Sequence, residues 1–171
     1  MTNDPKSLDW AFWFYWIMAT TIGWMVGEMF FSGIPVIVSG VAISVLQGIV
    51  LYQRIHKSWR WSVISGLSWI LGYILHLVLF SSNAGNLVGP IIGATVGISQ
   101  WLILRNEFDW AGWWIIISIL AWTSGLTTMP GLISSGTLPG ALTGITLVIL
   151  FRFSTSPKQQ LKLTKKGNRL R

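Results

Sequence analysis

The sequence has no cysteine, which excludes disulfides, thiol catalysis, iron–sulfur clusters and cysteine-ligated zinc. Charge is almost as scarce. Only 12 Lys and Arg and 5 Asp and Glu occur among 171 residues, or 10%, against about 25% in a typical soluble domain. So few charges do not coat a soluble surface of this size. The G-x-S-x-G, H-E-x-x-H, Walker and dinucleotide-binding fingerprints are also missing, so the sequence predicts no catalytic residues and reads as non-enzymatic. What it has in abundance is apolar and aromatic: 52% hydrophobic residues, 12 Trp and 18 Gly, with a mean hydropathy of +0.61.

The few charges divide the chain. Residues 10–53 contain only Glu28, and residues 61–104 and 110–151 contain none. A bilayer crossing takes about 20 apolar residues, so each window fits two crossings. Turn residues stand near the middle of each, at Ser32-Gly33-Ile34-Pro35, 81–86 and Thr128-Met129-Pro130-Gly131. The expectation is an all-α integral membrane protein with six transmembrane helices, built as three hairpins. Residues 1–152 form a single domain and 153–171 a basic tail. Every basic residue falls on one side of this map: Lys6, then Arg54, Lys57 and Arg60, then Arg105, then Arg152 and the tail. The positive-inside rule places both termini in the cytoplasm. The pI of about 10.3 is therefore a topology signal, and no nucleic-acid partner is expected. The lysines of the tail fit anionic lipid headgroups, and the membrane is a bacterial inner membrane or a thylakoid.

The hairpins repeat. Trp24/Gly27, Trp69/Gly72 and Trp122/Gly125 recur in the first helices, and Asp9-Trp10-Ala11 resembles Asp109-Trp110-Ala111. In the second helices small residues recur every fourth position: Gly40, Ser44 and Gly48; Gly85, Gly89, Gly93 and Gly97; Gly136, Gly140 and Gly144. Seven residues after Gly40, Gly93 and Gly140 stand Gln47, Gln100 and Leu147, and Arg54, Arg105 and Arg152 end the copies. Copies of a hairpin are parallel, related by an axis along the membrane normal. A small residue at every fourth position makes a flat stripe along which helix backbones approach closely. The even helices are expected to form the interior and the odd helices the periphery, with Pro90 and Pro139 as kink points. Trp10, Trp13, Trp16, Trp59, Trp61, Trp110, Trp113, Trp114 and Trp101 read as an interfacial aromatic belt.

Ionisable groups in a membrane are functional candidates, and two fall within the spans, Glu28 and His76. They fit a proton-titrating pair, a cation site or, for His76, axial ligation of a chlorophyll magnesium or haem iron. Gln47 and Gln100 share the small-residue face. There they either join helices through amide hydrogen bonds or line a cofactor pocket with His76. Chlorophyll, carotenoid and quinone all remain open as cofactors.

The run Gly93-x3-Gly97-x2-Gln100-Trp101-Leu102-x-Leu104-Arg105, with Trp113-Trp114 and Ala121-Trp122-Thr123-Ser124-Gly125, resembles a repeated hairpin pattern in small multi-spanning bacterial membrane proteins of uncharacterised activity, notably cyanobacterial ones. Copies one and three depart from it at Ser44 and Leu147. The resemblance implies no catalytic residues. For a photosynthetic source it implies an accessory role beside photosynthetic or other energy-converting complexes. The expected function is an accessory or assembly subunit of a larger membrane complex, meeting other subunits, lipid or pigment through Trp-rich faces. The alternative is a solute-binding transport subunit resembling the substrate-binding components of energy-coupling-factor transporters. An intramembrane enzyme would require Glu28 and His76 to converge.

Overall fold

The computed structural model describes residues 9–30, 34–52, 54–55, 58–80, 87–108 and 110–153. The turn at 81–86, Gly85, His56, Lys57, Lys6, Asp109 and the tail beyond Phe153 lie outside them. Six α-helices and no strand occur among the described residues: α1 Trp10–Phe30, α2 Pro35–Val50, α3 Trp59–Phe80, α4 Val88–Leu104, α5 Trp113–Thr123 and α6 Ser134–Phe153. Helix α5 runs on into a π-helical turn, Ser124–Thr128.

Local chemistry sets the boundaries. Asp9 caps α1, its Oδ1 accepting the Phe12 N–H at 2.9 Å. Pro35 opens α2 and Pro90 lies in the first turn of α4, where a missing N–H costs nothing. Pro139 is different, standing inside α6, where it removes the hydrogen bond to the Ser135 carbonyl.

Helices α3 and α6 are long and apolar enough to cross a bilayer, at Trp59–Phe80 and Ser134–Arg152. Helix α1 has the length, at 21 residues, but Trp, Thr and Glu28 lower its hydropathy. Helices α2 and α4 have 16 and 17 residues, about 24–26 Å at 1.5 Å per residue. They fall short of the 20 residues the charge windows allow, beginning at Pro35 and Val88.

Each helix packs on its sequence neighbours, and α6 closes on α1. The six make a ring, alternating odd and even. Helices α1, α3 and α5 meet across its axis through Trp: Trp61 stands edge-on to both Trp16 and Trp114, with ring centroids 5.8 Å apart in each case. Farther along the axis Trp69 meets Trp122 at 4.6 Å. This revises the expected division into interior even and peripheral odd helices. It also removes Trp16, Trp61 and Trp114 from the aromatic belt, since all three are fully buried. Trp10, Trp59, Trp110 and Trp113 are exposed at the basic end of the ring. Indoles from alternate helices fill the axis because a six-membered ring of helices leaves a gap that smaller side chains do not close.

The glycines divide by the junction they serve. A Cβ on Gly23 would stand 2.6 Å from the Ile43 backbone, and one on Gly125 2.9 Å from the Ser135 carbonyl, so odd-helix glycines close each hairpin. A Cβ on Gly93 would meet Ile119 Cα at 2.6 Å, and on Gly136 Thr21 Cα at 2.7 Å. Even-helix glycines therefore press against the next hairpin. The stripe of Gly89, Gly93 and Gly97 faces α5, that of Gly136, Gly140 and Gly144 faces α1, and Gly40 and Gly48 face α3. Ser44 is buried in the same stripe, its hydroxyl donating to the Gly40 carbonyl at 2.7 Å.

The Gly93→Ala variant must force backbone apart and loses about 1–3 kcal/mol. Gly112 is helical in conformation, and a methyl group there would find nothing within 4 Å, so it accepts Ala without loss. Thermal unfolding of both variants in mild detergent measures the difference.

Candidate functional site

Three indole N–H groups point into a dry interior, and each needs an acceptor. Trp61 Nε1 donates to Gln47 Oε1 at 3.3 Å, and Trp114 Nε1 donates to Gln100 Oε1 at 3.0 Å. The other end of each amide reaches an odd helix. Gln47 Nε2 donates to Thr20 Oγ1 at 3.0 Å, and Gln100 Nε2 donates to Ser65 Oγ at 2.9 Å. Each glutamine thus ties its helix to both neighbours. Thr20 passes its proton on to the Trp16 carbonyl at 2.9 Å, so the first relay is a continuous, mutually polarising chain.

The third copy solves the same problem differently. Its counterpart of Gln47 and Gln100 is Leu147, fully buried and apolar. Trp16 Nε1 instead donates to Thr143 Oγ1 at 2.9 Å, one turn back on α6. The positions matching Thr143 are Ile43 and Val96, both core residues. Amide and aliphatic have become aliphatic and hydroxyl. The exchange serves Trp16 but leaves a second group stranded: Ser118, which matches Thr20 and Ser65, is fully buried and its Oγ has no hydrogen-bond partner among the described residues.

These groups form a polar waist between two aromatic layers. One layer holds Trp16, Trp61 and Trp114 with Leu51, Leu104 and Leu147; the other holds Trp24, Trp69 and Trp122 with Ile43, Ile92 and Val96. The signal in the sequence is the spacing Trp-x3-Ser/Thr-x3-Trp-x2-Gly, present as Trp16-Thr20-Trp24-Gly27, Trp61-Ser65-Trp69-Gly72 and Trp114-Ser118-Trp122-Gly125. It places both Trp and the hydroxyl on one helix face. The more conspicuous Asp9/Asp109 match conceals it, because that match sets the first helices of hairpins one and three two residues out of register.

The remaining candidates are apart from this network. His76 is buried on α3, one turn beyond Gly72, and its Nδ1 has no partner among the described residues. Glu28 is exposed near the same end of the ring, on α1. No group of three or more His, Asp or Glu among the described residues is placed to hold a metal ion. A groove of about 1180 Å³ opens at the basic end, between α1 and α3 over the outer face of α2, lined by Asp9, Tyr15, Val45, Ile49, Arg54 and Trp59 among others. Glu28, His76, Gln47 and Gln100 do not line it.

The ring has a seam. Helices α5 and α6 share its smallest contact, and the π-helical turn Ser124–Thr128 meets the interior Pro139 there, a Cβ on Gly125 standing 2.7 Å from the proline ring. The unpartnered Ser118 lies on α5 with its side chain beside Gly97 of α4.

No protein-family model, curated protein or solved structure matches the chain.

Two outcomes follow from the relay. Thr143→Val strands the Trp16 N–H and costs about 1–3 kcal/mol. In a Leu147→Gln background the same change costs much less, because the new amide serves both Trp16 and Ser118. A double-mutant cycle by unfolding in detergent reads this coupling. Hydrogen exchange is expected to reach 118–140 before the amides of α2 and α3, since local opening follows the weakest junction.

Proposed function

We propose that the chain is a six-span membrane protein of three parallel hairpins, both termini cytoplasmic, acting without catalysis as an accessory or assembly subunit of a larger membrane complex. The observation that carries this reading is the contrast between axis and perimeter. The axis is filled by six buried indoles and a polar waist in which, among the described residues, Ser118 alone lacks a hydrogen-bond partner. The perimeter exposes Leu67, Leu71, Val78, Leu120 and Phe30 on helices apolar all round, as for helices in lipid. A filled axis favours work done through lateral faces over passage of a solute. Arg54, Arg60, Arg105 and Arg152 gather at one end of the ring, which supports the cytoplasmic assignment of that end. The short α2 and α4 are accommodated by local thinning of the bilayer and by flanking residues that reach the interface. A bacterial inner membrane or thylakoid fits this charge pattern. Chlorophyll, carotenoid or quinone contact belongs to the exposed Trp-rich rim or to His76, whose Nδ1 has no hydrogen-bond partner among the described residues.

Purified from its native membrane in mild detergent, the protein is expected to co-migrate with a larger assembly on native gels. A stable, pigment-free monomer without co-purifying subunits would overturn the accessory role. The absence of native cysteine makes the topology directly measurable. Asn83→Cys should react with an impermeant maleimide in intact cells, and Asn106→Cys only after permeabilisation; the reverse pattern would invert the assigned orientation.

A further inference from the structure

The groove beside α2 lies where the copies differ in sequence. In the hairpin register, Gly48 on its wall corresponds to Trp101 in the second copy. Trp101 packs against the basic-end core with Arg105 5.1 Å from its ring centroid. In the first copy the position is Gly48, closed against Ser62 of α3, and a groove of about 1180 Å³ with both residues in its lining runs past it. That volume exceeds the roughly 300–1,000 Å³ of sites for drug-sized ligands. Its long wall is apolar, with Val45, Ile49 and Val63, and its polar groups cluster at the end nearest the basic rim. The shape is that of an amphiphile: a chain-sized slot with one charged end.

The charged end is built with care. Arg54 donates through Nη2 to Asp9 Oδ2, while Asp9 Oδ1 is held by the Phe12 N–H. The guanidinium lies 5.7 Å from the Phe12 ring centroid, which fixes its plane. A guanidinium has five N–H donors, so most of its donors stay free for a second anion. Beside it Arg60 stands 5.8 Å from the ring centroid of Trp59, which lines the groove. Arg54 and Asp9 line the groove and Arg60 lies over the ring of Trp59, so among the described residues at this end basic groups outnumber acidic ones.

We propose that this groove holds one anionic glycerophospholipid, its acyl chain along α2 and its phosphodiester against Arg54, with Asp9 positioning the guanidinium. The proposal rests on the membrane-embedded reading above. A phosphodiester suits an end where basic groups outnumber acidic ones, and planar guanidinium groups bind phosphate oxygens in pairs. A zwitterionic lipid brings an ammonium group to a rim that is already positive.

The test uses the full chain, delipidated in mild detergent and offered phosphatidylglycerol or phosphatidylcholine, with retention read by native mass spectrometry. One phosphatidylglycerol is expected per chain, retained about fivefold over phosphatidylcholine, the factor that one basic group near the surface provides. Arg54→Gln should abolish that preference and Arg54→Lys keep most of it. Val45→Trp, which fills the slot, should exclude both lipids while unfolding stays unchanged. Equal retention of the two lipids, or a preference that survives Arg54→Gln, overturns the proposal. So does phosphatidylglycerol bound only after removal of residues 1–8, which assigns the groove to the chain's own N-terminus. A dimer that Val45→Trp dissociates assigns it to a second copy, with the same consequence. Recovery of the chain from the soluble fraction without detergent refutes the membrane reading instead, and separates the two failures.

Discussion

An indole turned inward carries one N–H that must find an acceptor. In this protein that requirement organises the whole interior. Trp16, Trp61 and Trp114 come from alternate helices and meet on the axis, so each acceptor has to come from the helix between them. Gln47 and Gln100 satisfy it with a side chain that accepts from one neighbour and donates to the other. On helices that are apolar on every side, such directional bonds and close glycine contacts fix helix order. The two devices have separate tasks. Glycines set how near the helices come, and the amides set which residue faces which.

The threefold plan is broken where the third copy exchanges its glutamine for Leu147. Thr143 restores the acceptor but supplies no donor to Ser118, whose Oγ remains without a partner among the described residues. A buried hydroxyl without a partner is a local cost, and the π-helical turn and Pro139 add departures from regular hydrogen bonding in the same hairpin. The first two hairpins are thus cross-linked by complete relays, whereas the last is held to its own partner helix mainly by packing. A ring of this kind opens at one seam rather than loosening uniformly. That seam and the groove beside Gly48 are the two places where the copies have diverged, and they lie at different junctions.

The windows free of charge, the antiparallel hairpins and the glycine stripes were all legible in the linear sequence, because composition and periodicity report them directly. The register between copies was less accessible. The match of Asp9 with Asp109 is conspicuous but offset from the true correspondence of Trp16 with Trp114. The role of Gln47 and Gln100 as helix ties was one of two readings, and the geometry fills both amides with indole and hydroxyl partners. His76 and Glu28 stood out because ionisable groups are rare in long apolar windows. Their different burial is a property of helix rotation, which periodicity does not fix when a helix is apolar on every side.

By itself the sequence determined that the chain is helical, that it is organised as three hairpins, and that its positive charge gathers at one end. These follow from local propensity and from the cost of burying charge, both of which act residue by residue. The tertiary structure decided which tryptophans lie on the axis, which hydroxyl is left without a partner, and where a groove remains open. Those outcomes depend on the rotation of each helix about its own axis and on closure of the ring. Both are set by contacts between residues far apart in the chain, among them Trp16 with Thr143 and Trp114 with Gln100.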